Sequence, residues 1–466
     1  MPALSKADML KTAGKGPYSG QSRVDIMSLK IRDNKPFILG TSKAGQKVFG
    51  SFYDEVNEML TYFTNASKTE VKSTTRSKIF KDPDFGGGAG SGGGAEETKI
   101  TESLQCFYCA YVFAKNKKID IKKPPTDKEL ETTTKGLCFT TKTLKECLDK
   151  GPIDWIETGV YIKTANKLYE QFGSSFTGKV YFHRAGPGSG PGSKFMDNIY
   201  VAKKSCQDND KASGEPQAPG SFSNDKWNPG DIWMTTFTND KKPLENYTKN
   251  WGELNNQVQL LADQGKVLGI SLKKLNTARL YEYNKKGSIK KKYEYKGFIF
   301  GRNGDFFSSN DIYLKTSDNE VQLRTFNETA AWQGEIKGVS AAGGKVGGGN
   351  INFYLKEVFK TSIWQSGEAE VIAEAMSNRL LDKMYLLYKK YNSLQEINST
   401  TISKDEFEAK LSNTKDSFKI SKLIGLKFLD AFLSTQPNKR DDFITKMYLY
   451  ASSATDQSSY FVKLAD

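Results

Sequence analysis

The chain has 466 residues, with 68 Lys and Arg against 54 Asp and Glu (net charge +14), 37% apolar and 12% aromatic content. Length and composition suit two or three domains around a sizeable core, and they argue against wholesale disorder, a disulfide-stapled mini-protein or a membrane span: the longest apolar stretch, around Leu104 to Ala114, is far short of the roughly 20 residues a spanning helix needs. The positive excess favours a polyanionic partner, DNA first, while five cysteines and a start without an apolar signal core point to an intracellular setting, which for a viral protein means host cytoplasm or virion.

Residues 1–84 read as a small N-terminal module, with strand-like runs at Phe37–Leu39 and Lys47–Phe52 and a helix-like segment at Tyr53–Phe63. Residues 85–97, FGGGAGSGGGAEE, read as a glycine-rich loop or linker, because glycine and serine bury no core. Gly94 is followed by Ala95 and Glu96, so no Walker A loop is present. Thr98–Lys115 predicts an amphipathic helix with Ile100, Leu104, Phe107, Tyr108 and Tyr111 on one stripe. Glu102 lies off that stripe, in line with Cys106 and Cys109, and can sit beside a site. Further along come a helix at Ile156–Phe172, the strand-like KVYFHR and a mobile Pro-Gly loop, GPGSGPGS.

From Trp227 the pattern changes: NPGDIWMTTF is a turn leading into a strand, Asn250–Gln264 a polar helix, and KVLGISLKK an apolar strand ending in two lysines. YEYNKKGSIKKKYEYKGFIF and DIYLKTSDNEVQLRTF predict two antiparallel hairpins, the second turning at Asp318 and Asn319. Residues 98–355 form an α/β core, and residues 356–466 a C-terminal helical region. There, Ile372, Met376, Leu380, Met384, Leu387 and Tyr391 mark one helix face, with further helices at Leu423–Leu433 and Phe443–Ala451.

Asp231 opens one strand, and Lys273 follows Ser271 by two residues at the end of the next. A metal-dependent phosphodiesterase needs an acid and a lysine on adjacent strand ends, the acid to hold the cation and the lysine to position or activate water. The arrangement resembles the PD-(D/E)XK nuclease superfamily of phage or mobile-element type, over roughly Gly94 to Lys274. The resemblance implies a restriction-endonuclease-like mixed sheet flanked by helices and a Mg²⁺ (or Mn²⁺) cofactor. It also implies a helix acid at Glu102, the PD aspartate at Asp231 and the catalytic triplet at Ser271-Leu272-Lys273, with Glu102 and Asp231 as metal ligands. Two positions depart from the family pattern: Gly230 separates the proline from the aspartate, and Ser271 stands where a carboxylate is usual.

Trp332–Gly338 contains a literal Glu-x-Lys, so Glu335 and Lys337 are an alternative catalytic pair if their strand lies beside Asp231. Lys274, Lys290, Lys291, Lys292 and Lys345 are candidate nucleic-acid contacts; Tyr293 or Tyr295 would stack on bases, and Lys345 would meet a phosphate from a glycine-rich close-approach loop or hinge. His183 is the only histidine, which leaves catalysis to carboxylates and lysines, and the cysteines read as buried thiols. The expected function is Mg²⁺-dependent hydrolysis of DNA phosphodiesters. The rivals are a non-catalytic nucleic-acid-binding or virion-associated protein with a degenerate nuclease fold, and an enzyme acting on another phosphate-containing substrate.

Overall fold

A computed structural model describes residues 51–54, 59–63, 71–75, 93–151, 156, 159–184, 193–272, 279–325, 332–337, 342–363, 373–375, 377, 380–397 and 399–465. The chain divides into two compact units, Met1–Thr101 with Lys145–Pro152, and Glu102–Leu144 with Ile153–Asp466. The strand expected at Phe37–Leu39 and the loop over 185–192 lie outside the described residues.

In the first unit, β1 (Ser51–Asp54), β2 (Met59–Phe63) and β3 (Val71–Thr75) form an antiparallel sheet. The helix expected at Tyr53–Phe63 is therefore two paired strands, with Ser51 opposite Tyr62 and Asp54 opposite Met59. MLTYF is rich in residues that favour the extended chain, which outweighs its apparent helical spacing. Helix α1 (Gly93–Lys115) starts inside the glycine-rich run. From Ser103 to Phe113 it is buried at all but two positions, so the expected amphipathic helix is instead enclosed.

The second unit holds two sheets. The first, six-stranded and mixed, has the order β4 (Cys138–Phe139), β5 (Tyr181–His183), β6 (Ile232–Thr235), β7 (Val267–Ser271), β14 (Phe461–Ala465), β8 (Arg279–Tyr283). β6 is antiparallel to both of its neighbours, β5 and β7, and β14 runs parallel to β7. All residues of β6 and β7 are buried, as their unbroken apolar runs require of strands covered on both faces. On one face Phe182 meets Phe113 of α1, whose Tyr108 stacks on Tyr161 of α2 (Val160–Phe172). On the other, His183 and Trp233 meet Phe195 and Tyr200 of α3 (Lys194–Ala212), and α4 (Trp251–Asp263) packs on β7.

The second sheet is an antiparallel meander of β9 (Tyr295–Phe300), β10 (Ile312–Thr316), β11 (Glu320–Thr325), β12 (Trp332–Lys337) and β13 (Ala342–Gly347). The expected turn at Asp318 and Asn319 joins β10 to β11, with Lys315 opposite Glu320. Helices α5 (Gly348–Phe359), α6 (Leu380–Asn392), α7 (Asp416–Leu433) and α8 (Pro437–Ala451) belong to this unit. One hydrophobic cluster runs from Trp233 and Phe195 through Leu314 and Leu323 to Phe428 and Met447, so the C-terminal helices share the core of the sheets. Ile372 and Met376 lie outside the described residues, whereas Leu380, Met384 and Tyr391 are buried as their spacing predicts.

Two further expectations are corrected. Tyr281–Phe300 is not a hairpin: β8 pairs with β14 and β9 with β10, so the lysine-rich stretch connects two sheets. The close-approach loop around Lys345 is instead the edge strand β13 leading into α5. Its Gly344 has φ +116, and a Cβ there would lie 2.5 Å from the Ala451 carbonyl oxygen, so the close approach is to the chain's own backbone. Among the described residues, no helix is long and apolar enough to cross a membrane.

Lys422 on α7 is fully buried, donating from Nζ to the Asp311 carbonyl (3.0 Å) and facing the rings of Phe300, Phe306 and Phe418. Burial outweighs the attraction of Asp311 and Asp305 and lowers its pKa from 10.5 to about 7. Between those values the unfolded chain holds a proton the folded chain lacks, so this group's contribution to stability rises with pH across that window. Lys422→Met should therefore gain most over the wild type at pH 6.5 and less at pH 9.5, measured as denaturant midpoints. A gap of equal size at both pH values would refute the account.

Candidate active site

The Asn228-Pro229-Gly230-Asp231 turn places the first acid. Asn228, almost wholly buried, accepts from Gly230 N through Oδ1 (3.0 Å) and donates through Nδ2 to Ser459 Oγ (2.8 Å) and the Tyr460 carbonyl (3.0 Å), tying the turn to the segment before β14. A Cβ on Gly230 would fall 2.9 Å from Asn228 Oδ1 and 3.1 Å from Gly269 Cα. The glycine between proline and aspartate is thus required by the close approach of this turn to β7.

Pairing of Ile232 with Ile270 sets Asp231 at the end of β7. Its Oδ2 accepts from Leu272 N (2.5 Å) and Ser271 Oγ (3.3 Å), which holds the carboxylate across the strand ends. Glu102 comes from α1, and Arg184, one residue beyond β5, donates from Nε to Glu102 Oε2 at 2.7 Å. Both side chains of this pair are close to nine-tenths buried. Burial, followed by the negative charge of Asp231, raises the Glu102 pKa from 4.5 to about 7 against the opposing pull of Arg184. Buried carboxylates near a like charge titrate high for these two reasons.

Asp231 is thus hydrogen-bonded to Ser271, and Glu102 lies near enough for the Asp231 charge to act on it. Lys273 and Lys274 lie outside the described residues. Glu335 and Lys337 are not brought to this place: β12 lies in the five-stranded sheet between β11 and β13, whereas the neighbours of β6 are β5 and β7. Glu335 is opposite Gln322 on one side and Lys345 on the other.

The basic segment is largely engaged within the chain. Lys290 pairs with Asp456 and Lys291 with Asp318, each at 2.5 Å, while Lys292 is exposed. Tyr293 stacks on Tyr448 at 4.1 Å and Tyr295 meets Phe432 edge-on, so these rings pack on helices and are not the base-stacking platforms expected of them. A cleft of about 950 Å³ lined by Lys290, Lys356, Glu357, Lys446 and Asp456 shares no residue with the Glu102–Asp231 cluster. Lys446 pairs there with Glu357, which leaves a mixed-charge surface. The Glu102–Asp231 cluster carries more specific chemistry than this hollow.

His183 is buried, stacked on Phe139 with Nδ1 2.9 Å from Ser193 Oγ, and burial lowers its pKa to about 3. All five cysteines are free and four are buried; burial raises the Cys109 thiol to about 12. Arg184 is the residue the sequence reading missed. The available signal was its place after His183, where strand alternation turns it to the face opposite the histidine.

No group of three or more His, Cys, Asp or Glu suited to a metal occurs among the described residues. Two carboxylates do suit a hard cation such as Mg²⁺, which commonly binds through one or two acids and keeps several waters. No known protein family, curated protein or solved structure matches the chain.

Because the Glu102 pKa lies above its unfolded value, its contribution to stability is complete below pH 4.5 and is lost as the pH rises through about 7. Asp231→Asn removes a charge that raises that pKa, so the Glu102 carboxyl should titrate at lower pH in the variant, as read by ¹³C NMR of labelled glutamate. An unmoved titration would show that Asp231 does not act on Glu102.

Proposed function

We propose that the chain is a Mg²⁺-dependent nuclease, also served by Mn²⁺, that hydrolyses DNA phosphodiesters at the Glu102–Asp231 cluster on a core of PD-(D/E)XK type. The observation that carries this is the nearness of a helix acid, a strand-start acid and the end of the next strand at one partly buried place. Support also comes from the pairing of β6 antiparallel to β5 and β7, with β14 parallel to β7, flanked by helices on both faces, and from the net charge of +14. Asp231 and Glu102 would hold the cation. Once bound, it supplies Lewis-acid stabilisation of the charge developing on the phosphate and an acidified water. Ser271 and Leu272 N keep the Asp231 carboxylate in place, and Lys273 positions or activates the attacking water.

A second reading, a non-catalytic DNA-binding or virion-associated protein with a degenerate nuclease fold, is favoured by one observation: Ser271 donates to Asp231 where the family places a charged acid.

Asp231→Asn and Glu102→Gln should each slow Mg²⁺-dependent plasmid cleavage by about two to three orders of magnitude, the usual loss for removing a preorganised electrostatic group. Glu335→Gln, on the other sheet, should cleave at close to the wild-type rate. Undiminished cleavage by Asp231→Asn refutes the site. DNA binding without cleavage by the wild type, in Mg²⁺ or Mn²⁺, selects the degenerate reading.

DNA affinity should fall steeply with salt through counterion release. Since Lys290 and Lys291 are paired with acids, neutralising Lys290, Lys291 and Lys292 together should flatten the salt slope by about 0.9, one phosphate contact's worth. Fluorescence anisotropy across a salt series measures this, and a change near three contacts' worth would return the segment to the DNA path.

A further inference from the structure

Arg184 is 8% exposed and is not a satisfied structural cation. Its hydrogen bond to Glu102 runs through Nε alone, and Nη1 is buried with no hydrogen-bond partner. Nη1 lies on the side of the guanidinium away from the Nε–H, so Glu102 cannot serve both at once. A charged donor left unpaired out of water is costly and calls for an account, a functional role or a bound water or ion among them. The neighbouring groups narrow the ligand. Glu102 and Asp231 are both acids, so a divalent cation drawn to them competes with Arg184 for Glu102, and a guanidinium released beside a bound cation meets the anion that cation attracts.

We infer that Arg184 is parked on Glu102 in the ligand-free chain and becomes a substrate-binding residue, donating to a non-bridging phosphodiester oxygen, once a divalent cation takes over Glu102. This rests on the nuclease reading for the identity of cation and anion. Arginine suits the role because its planar fork can hold two partners in fixed directions, whereas lysine offers a point charge. The burial of Nη1 in the parked state makes the DNA contact dependent on metal.

Two binding measurements test it without turnover. In the first, Mn²⁺ affinity is read by electron paramagnetic resonance for the wild type, Arg184→Met, Arg184→Lys and Asp231→Asn. Arg184→Met should bind Mn²⁺ about tenfold more tightly, since Glu102 loses its internal competitor, and Asp231→Asn should bind more weakly. In the second, anisotropy of a short DNA duplex is read in EDTA and in Ca²⁺. Arg184→Lys should match the wild type in EDTA and bind about tenfold more weakly in Ca²⁺, and inorganic phosphate should compete less well with DNA for the variant. Melting curves establish that each variant is folded; if Arg184→Met fails that control, Arg184→Lys in the DNA assay decides.

An equal affinity of Arg184→Lys and wild type in Ca²⁺, or an equal loss in both buffers, overturns the inference. In that case Mn²⁺ binding by the wild type and its weakening by Asp231→Asn leave the metal-site reading standing. Absence of Mn²⁺ binding in the wild type removes both.

Discussion

The candidate site depends on the antiparallel pairing of β6 with β7, which is buried on both faces and therefore tolerates only one register. Sliding one strand by a single residue would turn every side chain to the opposite face, and Asp231 would no longer lie beside Ser271 and Leu272. Local features hold the register. Gly230 lets the turn approach the β7 backbone, Gly269 leaves room for the Asn228 side-chain amide, and Asn228 anchors the turn to the chain entering β14. The acid's position thus follows from backbone packing more than from its own interactions.

The same constraint shapes the electrostatics. Asp231 accepts from a backbone N–H and a hydroxyl, and Glu102 from a guanidinium nitrogen, in a place withdrawn in part from water. A carboxylate at position 271 would add a further negative charge to this cluster. Serine instead donates a hydrogen bond, and in the proposed nuclease the helix acid Glu102 takes the missing carboxylate's part. An isolated buried charge is expensive enough that proteins pair it, protonate it or use it. The raised Glu102 pKa shows that here pairing by Arg184 does not fully offset burial and the like charge.

Away from the cluster, several charges are engaged within the chain. Lys290, Lys291 and Lys446 lie against acids, Lys422 sits among phenylalanine rings, and tyrosines from the basic segment pack on helices. A net charge of +14 therefore describes the whole chain and does not by itself locate a binding face.

Unbroken apolar runs made β6 and β7 legible in the sequence, because burial on both faces imposes a composition that a short window can carry. The turn residues before Asp231 and the lysines after β7 likewise marked the strand ends, and with them the pairing of Asp231 with Ser271. Other features were decided only by tertiary structure. β8 takes β14 as its partner from nearly the far end of the chain, so neither the failed hairpin nor the last strand could be read locally. Gly344 and its neighbours became an edge strand because α8 ends against them, and Tyr293 and Tyr295 found helical partners in place of solvent. Arg184 belongs with these. Sequence alone determined which segments could be buried and where acids and lysines end a strand; the fold decided which charges meet, because the interaction of two charges depends on their separation and the water around them, which no spacing along a chain specifies.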